Sequence, residues 1–292
     1  MANPFFSIII PALNEERYLP HLLKDLSIQS YQDFEVIVVD GKSDDKTVIE
    51  AKKWGKSLPS LKIMISPRRH VCTQRNLGAT KAKGEYFVFM DADNHLPPYY
   101  LLGIKYKLES DPTQLATTLT YTNSTNTSEI SIINTINVAT ELSKRMDTPL
   151  FSEAMTIISS TLFLQINGFD ETIDFSEGTE LIHRSRKLGF DHTVYHDPRY
   201  EYSLRRIRTY GILKLVAAIG QNQLAKLTGE TTPLRKVREL YPMKGGSIFA
   251  NAPQSRTKKF TQAIDKLLRN ISIEDKPLTL KTLRHQLDKL LS

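Results

Sequence analysis

Two aspartates, Asp91 and Asp93, are separated only by Ala92 at the end of the apolar run Tyr86–Met90, in the stretch EYFVFMDADN. On an extended backbone both side chains project to the same side. Carboxylates fixed in this way suit a hard divalent ion whose other ligands are water and substrate phosphates. An isolated D-x-D is also a common solvated turn, so its meaning depends on the buried run before it. A second acid, Asp40, closes another apolar run, FEVIVVD, and is followed by Gly41. A carboxylate there can accept hydrogen bonds from a base or a ribose. Helix capping is the competing role, but Ser43, Asp44 and Asp45 stand nearer the helix expected from Lys46, which leaves Asp40 for another task. Arg68, Arg69 and Arg75 form a third group. Arg75 shares a helical face with Cys72, Ala79 and Ala82, where it can meet a diphosphate or join a surface salt bridge.

These groups need elements to hold them. Apolar strand-like runs occur at Phe6–Ile10, Phe34–Val39, Leu61–Ile65 and Tyr86–Met90. Helical patterns separate them at Tyr18–Ser27, Lys46–Trp54 and Val71–Lys83, the last with Gly84 suited to its C-terminal cap. Such alternation predicts a mainly parallel α/β sheet covered on both faces, with every strand C-terminus on one edge. The sequences at that edge are PALNEE, DGKSDD, PRRH and DADN, so charged groups converge where ligands of open α/β sheets bind. Beyond Pro98 the expected elements are a strand at Gln114–Thr122, a helix at Ile130–Met146, a turn at Ile166–Glu171, a helix at Glu180–Leu188 and a short strand at His192–Tyr195. Helical spacing returns at Ile212–Leu227, Phe260–Leu268 and Leu280–Leu291.

The chain has 292 residues, a net charge of +7 and a single cysteine, Cys72. That length supports one large α/β domain with or without an appendage. The positive charge favours anionic partners, and one cysteine excludes an intrachain disulfide. The opening MANPFFSIIIPALNEE lacks a basic n-region and reads as a first strand. No apolar run reaches the ~20 residues of a membrane span, which points to a cytoplasmic protein. Glycosylation-type triplets at Asn123, Asn126 and Asn270 read as chance matches in that setting.

Several motifs in order then carry a resemblance. SIIIPALNEE followed by VVDGKSDD, the block RNLGATKAKGEYFVFMDADN and the turn INGFDE together resemble family 2 glycosyltransferases across roughly residues 5–211. The resemblance implies a GT-A fold over residues 1–211, a nucleoside-diphosphate sugar donor (a UDP-sugar by default, with GDP and dTDP open), Mn²⁺ or Mg²⁺, and inversion at the anomeric carbon. It further implies that Pro11, Ala12, Asn14 and Glu15 line the nucleotide pocket and that Asp40 binds the base or ribose. Arg75 would adjoin the nucleotide, Asp91 face the ribose or metal, and Asp93 bind the metal. His196, at the end of HTVYH, falls where relatives place another metal or phosphate ligand, with a structural histidine as the alternative. Arg205 and Arg206, in SLRRIRTYG, would serve pyrophosphate or an anionic acceptor, against the alternative of a solvated basic helix face.

The pattern breaks at the general base. Inverting transfer needs a group that takes the acceptor proton. In this family that group lies in an E-D-x-[DE]-L segment, which here reads SEGTEL, with Gly178 in place of the aspartate. Glu177 and Glu180 are the remaining acids, and Glu180 also suits the first turn of a helix. A non-catalytic nucleotide-sugar-binding relative is the third reading.

Other classes fit less well. PALNEE is not the G-x-G-x-x-G of a hydride-transfer enzyme, and no P-loop motif occurs. A nucleotidyltransferase would carry a Gly-rich N-terminal loop. Nucleic-acid binding is disfavoured because the basic residues are spread out without an aromatic-interleaved motif. Residues 212–292 are expected to form a helical C-terminal extension. Its segment Ile212–Leu227 would either pack on the catalytic domain or a second subunit, or lie on the inner membrane face near a lipid-linked acceptor. The acceptor itself, carbohydrate or lipid-linked, has no motif.

Overall fold

Apolar strands of five to seven residues, most of them buried on both faces, form the middle of the molecule. In the computed structural model, which describes residues 3–147, 149–173 and 176–210, the chain alternates strand and helix well past Pro98. The order is β1 (Phe6–Ala12), α1 (Leu19–Ser27), β2 (Phe34–Asp40), α2 (Thr47–Lys52), β3 (Leu61–Ile65), α3 (Val71–Ala79), β4 (Tyr86–Met90) and α4 (Tyr100–Ser110). It continues with β5 (Leu115–Tyr121), α5 (Thr127–Ser143), β6 (Met155–Ser159), α6 (Ser160–Gln165), α7 (Glu177–Lys187), β7 (Thr193–Glu201) and α8 (Arg205–Tyr210). The extension expected from residue 212 onward lies outside the described residues.

The strands form one mixed sheet in the order β3-β2-β1-β4-β6-β5-β7. β1 pairs in parallel with β2 and β4, β2 with β3, and β5 with β7, while β6 runs antiparallel to both β4 and β5. Alternation along β1 divides the core. Ile8 and Ile10 point to one face, where Leu19, Leu22, Leu23 and Leu26 of α1 pack with Tyr100 and Ile104 of α4. Ile9 points to the other, against Cys72, Phe89, Phe163, Phe169 and Leu181. Helices on both faces explain why β2 and β4 read as unbroken apolar runs.

Several elements differ from the sequence expectation. α4 is an added helix whose buried Tyr100, Leu101, Ile104 and Leu108 share its surface with exposed Leu102 and Tyr106, so no clean apolar stripe marks it. β6 is a short strand buried along its whole length, with no alternation to reveal it. α3 ends at Ala79 with Thr80 as its cap, short of Lys83. Gly84 is required for a different reason: a Cβ there would lie 2.5 Å from Ser7 N, where the chain passes against the start of β1. No helix among the described residues is long and apolar enough to cross a membrane.

Candidate active site

The rim is assembled from the ends of β1, β2 and β4, and from the beginning of β6. Because β6 is antiparallel, its entry segment arrives at the same edge, where Ala154 O accepts the amide of Asp91 at 3.2 Å. β1 leaves the sheet through Asn14, whose φ of 54° turns the chain back. The Asn14 amide donates to Ser43 Oγ at 2.8 Å, and its side-chain oxygen accepts the Asp44 amide at 2.7 Å. Glu15 N donates to Thr47 Oγ1 at 2.8 Å, so the first two strand–helix turns are stitched together. Ala12, beside half-buried Pro11, accepts from Gly41 N at 2.8 Å and from Gln74 Nε2 at 2.9 Å. Gln74, which no motif singled out, also donates to Val39 O and ties the ends of β1 and β2.

Asp40 is buried and already engaged. Its Oδ2 accepts the Ser43 amide at 2.9 Å and its Oδ1 accepts the Ser43 hydroxyl. The expectation that Asp40 stands apart from its turn is therefore corrected: it shapes the β2–α2 loop, while Asp45 accepts the Thr47 amide at the helix start.

Arg75 also departs from expectation. It is 1% exposed, which excludes a surface salt bridge, and it faces acids. Nη1 donates to Glu177 Oε1 at 2.7 Å, and Nη2 donates to Asp91 Oδ1 at 3.1 Å and to Glu153 O at 3.0 Å. The guanidinium lies 5.2 Å from the Phe169 ring centre. Burial works against its charge, but Glu177 and Asp91 outweigh it and hold the group above its usual range. One buried cation thus joins α3, the end of β4, the entry to β6 and the start of α7. Burial pushes the Asp91 carboxyl up to about 6, against the pull of Arg75 and with the help of Asp93 and Glu177.

Arg205, on α8, makes a second junction. Nη2 lies 2.6 Å from Asp93 Oδ2, Nη1 donates to Glu15 Oε2 at 3.1 Å, and the guanidinium sits 3.9 Å from the Tyr18 ring centre. Burial pushes Glu15 up to about 7, opposed by Arg205 and reinforced by Asp93. Arg206 is near enough to lower Asp91 electrostatically.

Glu177 and Glu180 separate in space. Glu177 is 6% exposed and belongs to the Arg75 junction. Glu180 accepts from Arg184 Nε and Nη2, both at 2.6 Å, one turn along its own helix. A third acid, Glu153, was not anticipated. Its Oε1 accepts the Gly178 amide at 3.0 Å, and its carboxyl hydrogen-bonds Glu177. Burial and the charge of Glu177 push Glu153 well above the carboxylate range, against Arg75 and the Gly178 amide. His196 is exposed and pairs with Glu141 Oε1 at 2.9 Å on α5. The structure does not bring it to the acids, because β7 continues to Glu201 before it reaches the rim. Among the described residues, His95, held by Asp25 at 3.0 Å, is influenced electrostatically by Asp93.

Among the described residues no three His, Cys, Asp or Glu side chains form an all-protein metal cage. Asp91 and Asp93 nonetheless fit Mg²⁺ or Mn²⁺ in donor chemistry. Arginines take Asp91 Oδ1 and Asp93 Oδ2, which leaves a hard oxygen donor on each for an ion that keeps water and phosphate ligands.

A family model described as glycosyl transferase family 2 matches residues 7–166. The chain is 32% identical over 106 residues to an uncharacterized glycosyltransferase of Haemophilus influenzae, covering 36% of this chain and 35% of that protein. It is 38% identical over 97 residues to a PGL/p-HBAD biosynthesis glycosyltransferase of Mycobacterium bovis, covering 33% of this chain and 38% of that protein. The match thus spans little more than a third of these curated relatives' length. Among solved structures, the mannosyltransferase PcManGT of Pyrobaculum calidifontis, in complex with GDP-Man and Mn²⁺, aligns with a TM-score of 0.62 at 16% identity over 94% of this chain and 82% of that one. S. aureus TarS 1–349 in complex with UDP-GlcNAc aligns with a TM-score of 0.53 at 19% identity over 82% of this chain and 72% of that one. These likenesses define a GT-A fold. The chain belongs to glycosyl transferase family 2.

Proposed function

We propose that the protein transfers a sugar from a nucleoside-diphosphate donor to an acceptor hydroxyl, with inversion at the anomeric carbon. The observation that carries this reading is the pair Asp91 and Asp93, fixed at the end of a buried strand and each held by its own arginine. The turns after β1 and β2 form the nucleotide side, with Asn14, Glu15 and Asp40 already locked in position. Asp93 and Asp91 would hold a divalent ion, which would supply charge stabilisation to the departing diphosphate. Arg205 and Arg206 would receive the same diphosphate, supported by the contact of Arg205 with Asp93 and the charge of Arg206 near Asp91, with Arg205 exchanging a carboxylate partner for a phosphate one. The acid cluster around the start of α7 lies on the acceptor side in this reading and supplies the group that receives the acceptor proton; Glu177 and Glu153 belong to that cluster, whereas Glu180 is turned to Arg184. UDP-sugars remain the default donors, and complexes of neighbours with UDP-GlcNAc and with GDP-Man support testing both nucleotides.

The test follows nucleoside diphosphate release by the full chain from UDP-, GDP- and dTDP-sugars, with Mn²⁺ or with EDTA. Release from at least one donor is expected, reduced about tenfold or more by EDTA and about 100-fold by Asp93→Asn. Release that ignores both changes would contradict the reading. Gly178 favours a second reading, a relative that binds nucleotide sugars without transferring them. Tight nucleotide binding with no release from any donor would support it.

A further inference from the structure

Gly178 leaves its helix start without a side chain, and the space beside it is filled from another part of the chain. A Cβ built at position 178 would lie 2.7 Å from Phe151 Cδ1 and 2.8 Å from Glu153 Cγ. Both distances are shorter than packed carbon atoms tolerate, so no aspartate fits there while Phe151 and Glu153 keep their places. Glu153 instead brings its own carboxylate to the spot, where Oε1 accepts the Gly178 amide at 3.0 Å. We propose that Glu153 supplies the carboxylate missing at position 178 and acts as the general base of the transfer. This rests on the glycosyltransferase reading above.

The surroundings distinguish Glu153 from the other two acids. Glu180 gives both oxygens to Arg184. Glu177 is 6% exposed and turned to Arg75 at 2.7 Å. Glu153 is half-buried, its carboxyl hydrogen-bonds the Gly178 amide and Glu177, and Arg75 holds its backbone oxygen rather than its carboxylate. The same Arg75 nitrogen holds Asp91 Oδ1 at 3.1 Å, which fixes Glu153 relative to the donor-side acid. The segment is further pinned by Asp91 N to Ala154 O and by Met155 N to Ser152 O. A base needs a fixed position before its basicity matters, and these contacts fix Glu153. In the step, a lone pair of the acceptor oxygen forms the new bond to the anomeric carbon as the bond to the diphosphate oxygen breaks. That bonding pair leaves on the β-phosphate, and the acceptor proton passes to the ionised form of Glu153, whose burial strengthens its hold on the proton, and then to solvent.

The test combines turnover with a volume swap in the full-length protein. Glu153→Gln preserves shape and is expected to bind UDP or GDP with Mn²⁺ within about threefold of wild type, while donor turnover falls about 100-fold or more. Gly178→Asp is expected to lower the melting temperature by roughly 5 °C in the wild-type background and by less than half as much alongside Glu153→Ala. The double variant Glu153→Ala/Gly178→Asp should recover about tenfold of the turnover lost by Glu153→Ala alone. Full turnover in Glu153→Gln with loss in Glu177→Gln would overturn the assignment and leave the glycosyltransferase reading standing. An equal cost of Gly178→Asp in both backgrounds would remove the shared-volume premise. A wild-type protein that binds no nucleoside diphosphate would instead overturn the underlying reading, and the assignment with it.

Discussion

Arg75 and Arg205 each join two acids at the same rim, one inside the molecule and the other at its edge. Arg75 is fully enclosed and reaches Asp91, Glu177 and the backbone of Glu153 from a helix packed on the sheet. Arg205 reaches Asp93 and Glu15 from α8, with one face against the Tyr18 ring. A buried guanidinium with two carboxylates cannot leave without stranding charge, so the inner junction acts as a frame. The outer one can trade a carboxylate for a phosphate without opening the core, which suits a group that meets ligand. Under the proposed function, the contrast would give rigidity to the acceptor side and exchange to the donor side.

The largest effect is expected from breaking the frame. Arg75→Met leaves Asp91 and Glu177 without their cation and should cost about 3–5 kcal/mol, lowering the melting temperature by roughly 10 °C. Arg205→Gln should do the reverse: stability falls by only about 1 kcal/mol, while calorimetric affinity for UDP or GDP with Mn²⁺ drops about tenfold. Equal losses of stability in the two variants would erase the distinction. Glu180→Gln breaks a pair within one helix and should change stability by about 0.5 kcal/mol, with donor turnover within about twofold of wild type. A further effect, read through its pH dependence, concerns Glu15. Its folded carboxyl titrates near 7, above the ordinary value of 4.5, so the folded state holds the proton more tightly than the unfolded one. The stability this gives is fully present below about 4.5 and is lost as pH rises through about 7. The melting temperature of wild type relative to Glu15→Gln should therefore decline over that window, and a rise would contradict the assigned burial.

The sequence made the donor side readable because its acids end strands that look like strands. β1, β2 and β4 are apolar runs, and Asp40, Asp91 and Asp93 follow them directly. The acceptor side was hidden by the same logic. β6 is five buried residues without alternation, and Glu153 lies 25 positions before Gly178, whose amide it meets. Only a three-dimensional contact relates the two. An acid just before a short apolar run, paired with a glycine where a motif expects an acid, is the signal that was available. His196 was placed by resemblance at the end of the short strand expected at His192–Tyr195, whereas β7 carries on to Glu201 and leads to Arg205 at the rim. Arg75 looked like a surface or phosphate-facing group because helical spacing gives its face but not the acids waiting there.

The central claim is that Asp91 and Asp93 hold a nucleoside diphosphate through a hard divalent ion. Isothermal calorimetry of UDP and GDP with Mn²⁺ on wild type and on Asp93→Asn tests it most directly. The account predicts binding of one nucleotide by wild type, dependent on Mn²⁺ and weakened about tenfold or more by Asp93→Asn. Binding of neither nucleotide by wild type, or equal binding by the variant, would contradict it.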